Sequence, residues 1–182
     1  MAEKELYYSD MIFAPHEKKK IVYRGPEPLG FRDSMVELLK HVLEIGSPQV
    51  WEKDLRWDTT DGTFYYEVEA IKAFDRWTSL RFSMRAWGRQ GDDPKKMGHM
   101  ILKYGGSLET RVPYSHSIHK SFWWTYSYLF YNRQRQKYFE LSKRMLLTIE
   151  NALREMLGVP VQKIERVTVP TGAVVPEMEE AL

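Results

Sequence analysis

Hydrophobic and polar residues alternate with a period of two through much of the chain between Val50 and Val112. Such alternation is typical of strands that bury one face and expose the other. Turn-forming residues, of which Thr59–Gly62 is the clearest run, separate the alternating stretches. The pattern predicts a short strand at 21–24 and antiparallel strands at 50–58, 64–70, 78–86 and 100–112. Gly105–Gly106 in the last of these strands suggests a bulge or a sharp bend.

The turn near Arg76 predicts how two of these strands pair. Directly opposed residues must lie on the same face of a sheet, and only a loop of odd length satisfies this here. A three-residue loop places Ala70 opposite Phe82 on the inner face, and Glu67 opposite Arg85 on the outer face.

Two other stretches have apolar residues at helical spacing. The first covers 31–45, where Gly46 is expected to provide a left-handed cap. The second runs from about Gln134 to Leu157, and Gly158 ends it. Together the elements predict an α+β fold: a curled antiparallel sheet of about five to six strands around a long C-terminal helix, with one shorter helix before the main sheet.

The segment Ser121–Tyr131 is consistent with either type of structure. As a strand, it would carry most of its aromatic residues on one face, with Trp123 and Tyr131 on the other, and its aromatic and Thr content favours this interpretation. As a helix, Phe122, Tyr126 and Phe130 would stack four residues apart.

Size and composition indicate a single domain with tails. For the 182 residues we expect an N-terminal extension at 1–20, one domain at 21–158 and a C-terminal tail at 159–182. The tail includes a candidate edge strand at 161–169. The formal net charge of +2 gives no general reason to expect nucleic acid or an anionic membrane as partner. The absence of cysteine excludes disulfides, zinc–thiolate sites, iron–sulfur clusters and a cysteine nucleophile.

Targeting and catalytic motifs are not recognisable. The first ten residues lack the apolar core of a signal peptide. The longest apolar run, Phe122–Tyr131, is shorter than the roughly 20 residues of a membrane-spanning helix. We therefore expect a cytoplasmic protein without a membrane span. Because no nucleophile, phosphate-binding or dinucleotide motif is present, a non-enzymatic function is favoured, enzymatic activity stays open, and the cofactor is unknown.

The order of elements between about Ile21 and Leu157 is a short strand, a helix, a run of antiparallel strands and a long helix. In this order the chain resembles the helix-grip superfamily, which includes START-like lipid-transfer domains, polyketide cyclases and the major pollen allergens. The resemblance implies a hydrophobic cavity between sheet and helix that binds an apolar or amphipathic small ligand. Fold analogy assigns no specific function by itself.

Inner-face residues are the candidates for the lining of such a cavity. Lys53 is the most unusual of them, because a buried lysine is costly unless it is paired. It could orient an anionic ligand group, or it could lie at a twisted edge and extend to water. Aromatic residues at the other positions could line the cavity or simply form the core. The predicted ligand-binding set is Trp51, Lys53, Tyr66, Phe82 and Trp124.

An outward stripe of arginine and tryptophan suggests a second function, as a protein-interaction module or homo-oligomer. Its residues are Arg81, Arg85, Trp87 and Arg89. The same arginines could contact nucleic acid, but Glu67 and Glu69 on the neighbouring strand would neutralise part of the stripe, so this is the least favoured function.

Two short groups could bind a metal ion. His116 and His119 are three residues apart, and no third ligand is evident nearby. Asp92–Asp93 could supply oxygen ligands in a loop. Solvated surface residues are the preferred interpretation of both groups, so no metal site is predicted.

Overall fold

The computed structural model describes residues 4–90 and 97–160, apart from the side chain of Ser117. The strands in these ranges are Lys4–Met11 (β1), Lys19–Pro26 (β2), Val50–Trp57 (β3), Thr63–Ala73 (β4), Thr78–Arg89 (β5) and Met97–Tyr114 (β6). The α-helices there are Arg32–Leu43 (α1), Ser117–Tyr126 (α2) and Asn132–Met156 (α3). A 3₁₀ turn at Ser47–Gln49 precedes β3, and a π-helical turn at Ser127–Tyr131 joins α2 to α3. The predicted loop at 91–96 and the edge strand at 161–169 lie outside the described residues.

The strands form one open antiparallel sheet in the order β1-β6-β5-β4-β3. Strand β6 is 18 residues long, and a single edge of it pairs with both N-terminal strands. Met11 of β1 faces Ser107, and Lys19 of β2 faces Tyr104. Residues 4–11 are therefore part of the sheet, which corrects the expectation that 1–20 extends outside the domain. The fold is α+β, as the pattern predicted.

Gly105 and Gly106 lie between the part of β6 that pairs with β1 and the part that pairs with β2, and they form no bulge. Their pairing with β5 continues without a shift in register, so the predicted bulge is wrong. The glycines instead allow close approach. A Cβ at Gly105 would lie 2.5 Å from the backbone oxygen of Glu17. A Cβ at Gly106 would lie 2.7 Å from Cδ2 of Leu146, on the helix that covers the sheet.

The predicted pairing of β4 with β5 is confirmed. Ala70 faces Phe82, and Glu67 faces Arg85. The Phe74 amide donates a hydrogen bond to the backbone oxygen of Thr78 at 2.9 Å, which leaves three residues, 75–77, in the turn. The side chain of Asp75 accepts hydrogen bonds from the backbone amides of Trp77 and Thr78 at 2.8 Å. An aspartate that bonds two following amides is a common way to close such a turn.

The left-handed residue after α1 is Glu44, at φ 51°, rather than the predicted Gly46. The helix therefore ends two residues earlier than its apolar periodicity suggested. The ammonium of Lys72 donates a hydrogen bond to the backbone oxygen of Leu43 at 2.6 Å, and so satisfies a carbonyl at this end of the helix.

The segment Ser121–Tyr131 is helical, so the preferred strand interpretation is wrong. β6 already has neighbours on both edges, namely β5 on one and β1 with β2 on the other. A helix satisfies backbone hydrogen bonds within the segment and needs no free strand edge. Together α2, the π-helical turn and α3 form a long C-terminal helix, as expected, which begins well before Gln134.

The main core lies between the inner face of the sheet and two helices, α1 and α3. Helix α1 contributes Met35, Leu39 and Leu43, and α3 contributes Leu146, Ile149 and Leu153, all fully buried. The sheet contributes alternate residues of its central strands, including Val68, Ala70, Leu80, Phe82, Met84, Ala86, Met100, Leu102, Tyr104 and Leu108.

Candidate functional site

Three of the five predicted lining residues do not lie in the main core. Tyr66 and Phe82 are fully buried within it, as expected for inner-face residues. Trp51 lies opposite Glu69 on the outer face. Lys53 points the same way, with its ammonium 2.7 Å from the Glu69 carboxylate. Trp124 lies on α2 and is mostly exposed.

The misplacement of Lys53 has a single cause, a β-bulge in β3. From Leu55 to Trp57 the pairing with β4 follows the predicted four-residue turn. The register then shifts between Glu52 and Asp54, so Glu52 rather than Lys53 faces Val68. A bulge inserts one unpaired residue and reverses the faces beyond it. Lys53 is that unpaired residue. Its side chain forms an ion pair with Glu69 on the outer face, rather than lining the inner face as predicted.

The space between the central strands and α3 is filled by side chains. The inner-face residues and the helix residues that meet them are fully buried, and Leu146 packs directly over the position of Gly106. The arrangement leaves Tyr66 and Phe82 as core residues in contact with the helices. At the margin of this layer, α3 passes the edge strand β1.

An open cleft of about 870 Å³ lies at that margin. Strand β1 and the turn after it form one wall, and one side of α3 forms the other. Apolar contacts come from Met11, Ala14 and Phe139. The polar lining residues are Ser9, Asp10, Asn132, Arg135, Gln136 and Glu140. A smaller cavity of about 120 Å³ shares Asn132 and Arg135 with the cleft and reaches Trp124 and Tyr128.

Arg135 is the central polar side chain of the cleft. One guanidinium nitrogen lies 2.7 Å from the Asp10 carboxylate on β1. Its Nε donates a hydrogen bond to the Thr110 hydroxyl at 3.0 Å. Its Nη2 is buried and has no hydrogen-bond partner among the described residues. The guanidinium also lies 5.9 Å from the ring centre of Tyr8, in cation–π geometry. These contacts hold the arginine at the boundary between strand and helix.

A chain of hydroxyl groups leads from Arg135 to the turn before β5. Tyr131 must donate to the Asp75 carboxylate, at 2.8 Å. Because each hydroxyl has one hydrogen to donate, Thr78 then donates to Tyr131 at 2.6 Å, and Thr110 donates to Thr78 at 2.8 Å. Burial, together with the bond to Asp75, raises the pKa of Tyr131. This row of hydrogen bonds links the π-helical turn to the sheet, and each of its three hydroxyl groups donates its one hydrogen.

A second apolar cluster holds this part of the helix on the sheet. Trp123 and Tyr131 are buried against Trp77, with ring centres 4.8 and 5.6 Å from it, and against Val112. The neighbouring apolar residues of the segment are exposed. Those with more than half of their surface exposed are Ile118, Phe122, Trp124, Tyr128, Leu129 and Phe130. Their helical spacing was one of two interpretations of the sequence, but their exposure was not predictable from it.

The outward arginine stripe lies on the outer face, as predicted, and its side chains bind within the chain. Arg81 lies between Glu69 at 3.5 Å and Glu109 at 3.1 Å. Arg85 is 3.0 Å from Glu67. The hydrogen bond from the Tyr65 hydroxyl, followed by Arg85, lowers the pKa of the Glu67 carboxyl.

The other two stripe residues also have partners in the chain. Arg89 donates to the backbone oxygen of Asp61 at 2.6 Å, and the Lys103 ammonium lies 5.5 Å from the Trp87 ring centre. Of the three arginines in the stripe, Arg81 and Arg85 are therefore paired with neighbouring glutamates, whereas Arg89 is bound by a backbone oxygen.

A buried ionic cluster lies under the C-terminal half of α3. The fully buried Glu150 carboxylate lies 2.8 Å from the Lys19 ammonium and accepts two bonds from Arg154, at 3.0 and 3.1 Å. Burial alone would raise the pKa of Glu150, but Lys19, neighbouring Tyr104 and Arg154 together outweigh it and lower that pKa. Burial and the nearby carboxylate raise the pKa of Tyr104. No part of the cleft is lined by these groups.

In the described part of the chain, the candidate histidine pair has no metal-binding cluster around it. His116 and His119 are exposed at the start of α2. Over the described ranges, 4–90 and 97–160, no three His, Asp or Glu side chains converge as a metal site would require. Asp92–Asp93 lies outside those ranges.

Comparison with known proteins assigns neither a family nor a function. No family model matches the chain, and no curated protein matches it. The similar solved structures include a protein of unknown function, SA2116 from Staphylococcus aureus, at 10% sequence identity and a TM-score of 0.22, over 83% of this chain and 98% of that chain. A TM-score this low supports no argument about fold or activity. In the described part of the chain, no helix is both long enough and apolar enough to cross a membrane.

Proposed function

We propose that the protein binds a small amphipathic molecule in the cleft between β1 and α3. The observation that carries the proposal is the size and lining of this cleft. Its volume of about 870 Å³ lies within the range of about 300–1,000 Å³ typical of ligand sites. The resemblance to the helix-grip superfamily implies a ligand between sheet and helix. The cleft lies between the edge strand β1 and helix α3.

The lining of the cleft indicates the kind of ligand. Met11, Ala14 and Phe139 offer apolar contact for a hydrocarbon portion. Asn132 and Gln136 offer both hydrogen-bond donors and acceptors to a polar head group. Because Arg135 is already paired with Asp10, the site does not present a free positive charge. An amphipathic molecule therefore suits it better than a multiply charged anion.

The methionine methyl groups provide a direct test by NMR. With ¹³C-methyl methionine labelling, sodium dodecanoate below its micelle concentration is titrated into the protein. Met11 lines the cleft, whereas the exposed methyl groups of Met97 and Met156 lie elsewhere on the chain. We expect a saturable shift at Met11 and none at the other two. An unmoved Met11, or equal shifts at all three, would contradict the proposal.

A matched pair of variants locates the binding. Gln136→Trp fills the cleft from the helix and should abolish the Met11 response. Lys137→Trp changes the next exposed residue of the same helix, which does not line the cleft, and should preserve it. If both variants respond as the natural protein does, dodecanoate binds elsewhere.

A further inference from the structure

The helical segment Ile118–Phe130, which we call the aromatic arm, exposes apolar side chains on opposite sides. Phe122 and Trp124 are two residues apart, so their directions differ by about 200° around a helix of 3.6 residues per turn. Both are exposed, at 73% and 58%. Soluble proteins rarely expose so many large apolar side chains on one short segment without a binding role. A rigid partner would cover one side of the arm, whereas a fluid layer would cover both.

The arm is held firmly at its base. Trp123 lies within it and is buried against Trp77, while Tyr131 directly follows it and is hydrogen-bonded to Thr78 and Asp75. The exposed side chains are therefore presented on a fixed helix. Their exposure does not result from a segment detached from the fold.

The charged residues within the arm and next to it in the sequence are all basic. From Val112 to Phe139 the sequence contains no Asp or Glu, while it contains Lys120, Arg133, Arg135 and Lys137. Arg135 is paired with Asp10. The other three are exposed and form no ion pair with any carboxylate of the described residues. The nearly neutral chain thus carries a local basic region next to the exposed apolar side chains of the arm.

We propose that the aromatic arm docks on the surface of an anionic lipid bilayer. Tryptophan and tyrosine favour the headgroup level of a membrane, where an apolar ring and a polar edge are both satisfied. Lysine and arginine next to inserted apolar residues are attracted to the anionic headgroups of the membrane surface. Two arms packed against each other would bring like charges together without an acidic residue to pair them. This disfavours a second copy as the occupant.

Vesicle co-sedimentation tests the proposal with the full chain. The protein is mixed with vesicles of phosphatidylcholine alone and of phosphatidylcholine with phosphatidylglycerol. We expect binding to the mixed vesicles that weakens with added salt, and much weaker binding to phosphatidylcholine. Equal binding to both, or none to either, would overturn it.

Two tryptophan variants distinguish the arm from exposed aromatics in general. Trp124→Ser removes an arm side chain that is 58% exposed, and Trp57→Ser removes one on β3 that is 52% exposed. Loss of a large apolar contact should weaken vesicle binding at least about tenfold in the first variant. The second should bind as the natural protein does.

A pair of charge variants tests the basic region. Arg133→Glu with Lys137→Glu should abolish the preference for phosphatidylglycerol while leaving the arm apolar. Light scattering measures the oligomeric state and so tests the alternative that a second copy of the chain covers the arm. A dimer that Trp124→Ser dissociates, without vesicle binding, would show that the arm pairs with a second copy. The Met11 response to dodecanoate is measured without vesicles, so failure of either proposal can be told from failure of the other.

Discussion

Single residues decide where charge can be buried in this protein. Glu150 has no exposed surface, yet its pKa is lowered because Lys19 and Arg154 bind both carboxylate oxygens. A buried ion pair is weak evidence of net stabilisation, but removing one partner leaves the others without compensation. The cluster therefore ties β2 to the C-terminal half of α3.

Replacement of Glu150 by glutamine should lower the free energy of unfolding by about 3–5 kcal/mol, because Lys19 and Arg154 then lose their counter-charge. Urea unfolding at neutral pH measures the change. Glu140→Gln, an exposed residue of the same helix, is the control and should change the free energy by less than about 0.5 kcal/mol. A loss below 1 kcal/mol in the Glu150 variant would contradict the argument.

The same residue predicts how stability depends on pH. The pKa of Glu150 is lower in the folded protein than its ordinary value of 4.5. Its contribution is therefore complete above pH 4.5 and is lost as the pH falls through the folded pKa. The difference in unfolding free energy between the natural protein and Glu150→Gln should shrink in that acid range. A difference that is constant down to acid pH would show that the carboxylate charge is not responsible.

The backbone of Glu17 lies so close to Gly105 of β6 that a larger residue there should be destabilising. Alanine at Gly105 would bring its Cβ to 2.5 Å from the backbone oxygen of Glu17, so the β1–β2 connection would have to move. We expect Gly105→Ala to lower the unfolding free energy by about 1–3 kcal/mol. A Cβ at Gly46 would lie 3.1 Å from the flexible side chain of Gln49 and at an ordinary contact distance of 3.5 Å from Pro48, so Gly46→Ala should be nearly neutral. Thermal unfolding of both variants measures the contrast.

At the scale of elements, one inserted residue decides which side chains of a strand lie on the inner face of the sheet. The bulge at Lys53 makes this residue an addition to β3 that no residue of β4 opposes. Deleting Lys53 should restore a regular ladder and cost only an exposed ion pair, about 0–1 kcal/mol. Deleting Arg85 from the central strand β5 should exchange the inner and outer faces beyond it and prevent folding. Near-ultraviolet circular dichroism distinguishes the two results.

The base of the aromatic arm can be tested with two adjacent residues. Trp123 is buried, whereas Phe122 is 73% exposed. Trp123→Ala should lower the unfolding free energy by about 3–5 kcal/mol, as expected for a buried aromatic residue. Phe122→Ala should change it by less than about 0.5 kcal/mol. Equal effects in a chemical denaturation series would mean that the arm is not anchored through Trp123.

At the scale of the whole molecule, the N-terminal strand forms both an edge of the sheet and a wall of the cleft. Strand β1 pairs all eight of its residues with β6 and supplies Asp10 to Arg135. Removal of residues 1–11 should lower the unfolding free energy by at least about 2 kcal/mol, since several net-favourable hydrogen bonds are lost. Removal of residues 1–3 leaves β1 whole and serves as the control. An unchanged unfolding midpoint after the longer truncation would contradict this role for β1.

The sequence alone determined the fold class, the pairing of β4 with β5 and the long C-terminal helix. These features follow from periodicity, because a period of two sets strand faces and a three-residue loop sets their register. The cleft was not predictable. Its walls come from β1 and α3, which are far apart in the sequence and are brought together only when β1 pairs with β6.

Tertiary structure decided every part of the candidate site. It placed Lys53 outside through one bulge, since an unpaired residue leaves no trace in the alternating pattern. It made Ser121–Tyr131 helical, because both edges of β6 were already paired. It also separated Trp123, which is buried, from Trp124, which is exposed. Adjacent residues with the same chemistry acquire different roles only when the fold determines which of them meets the core.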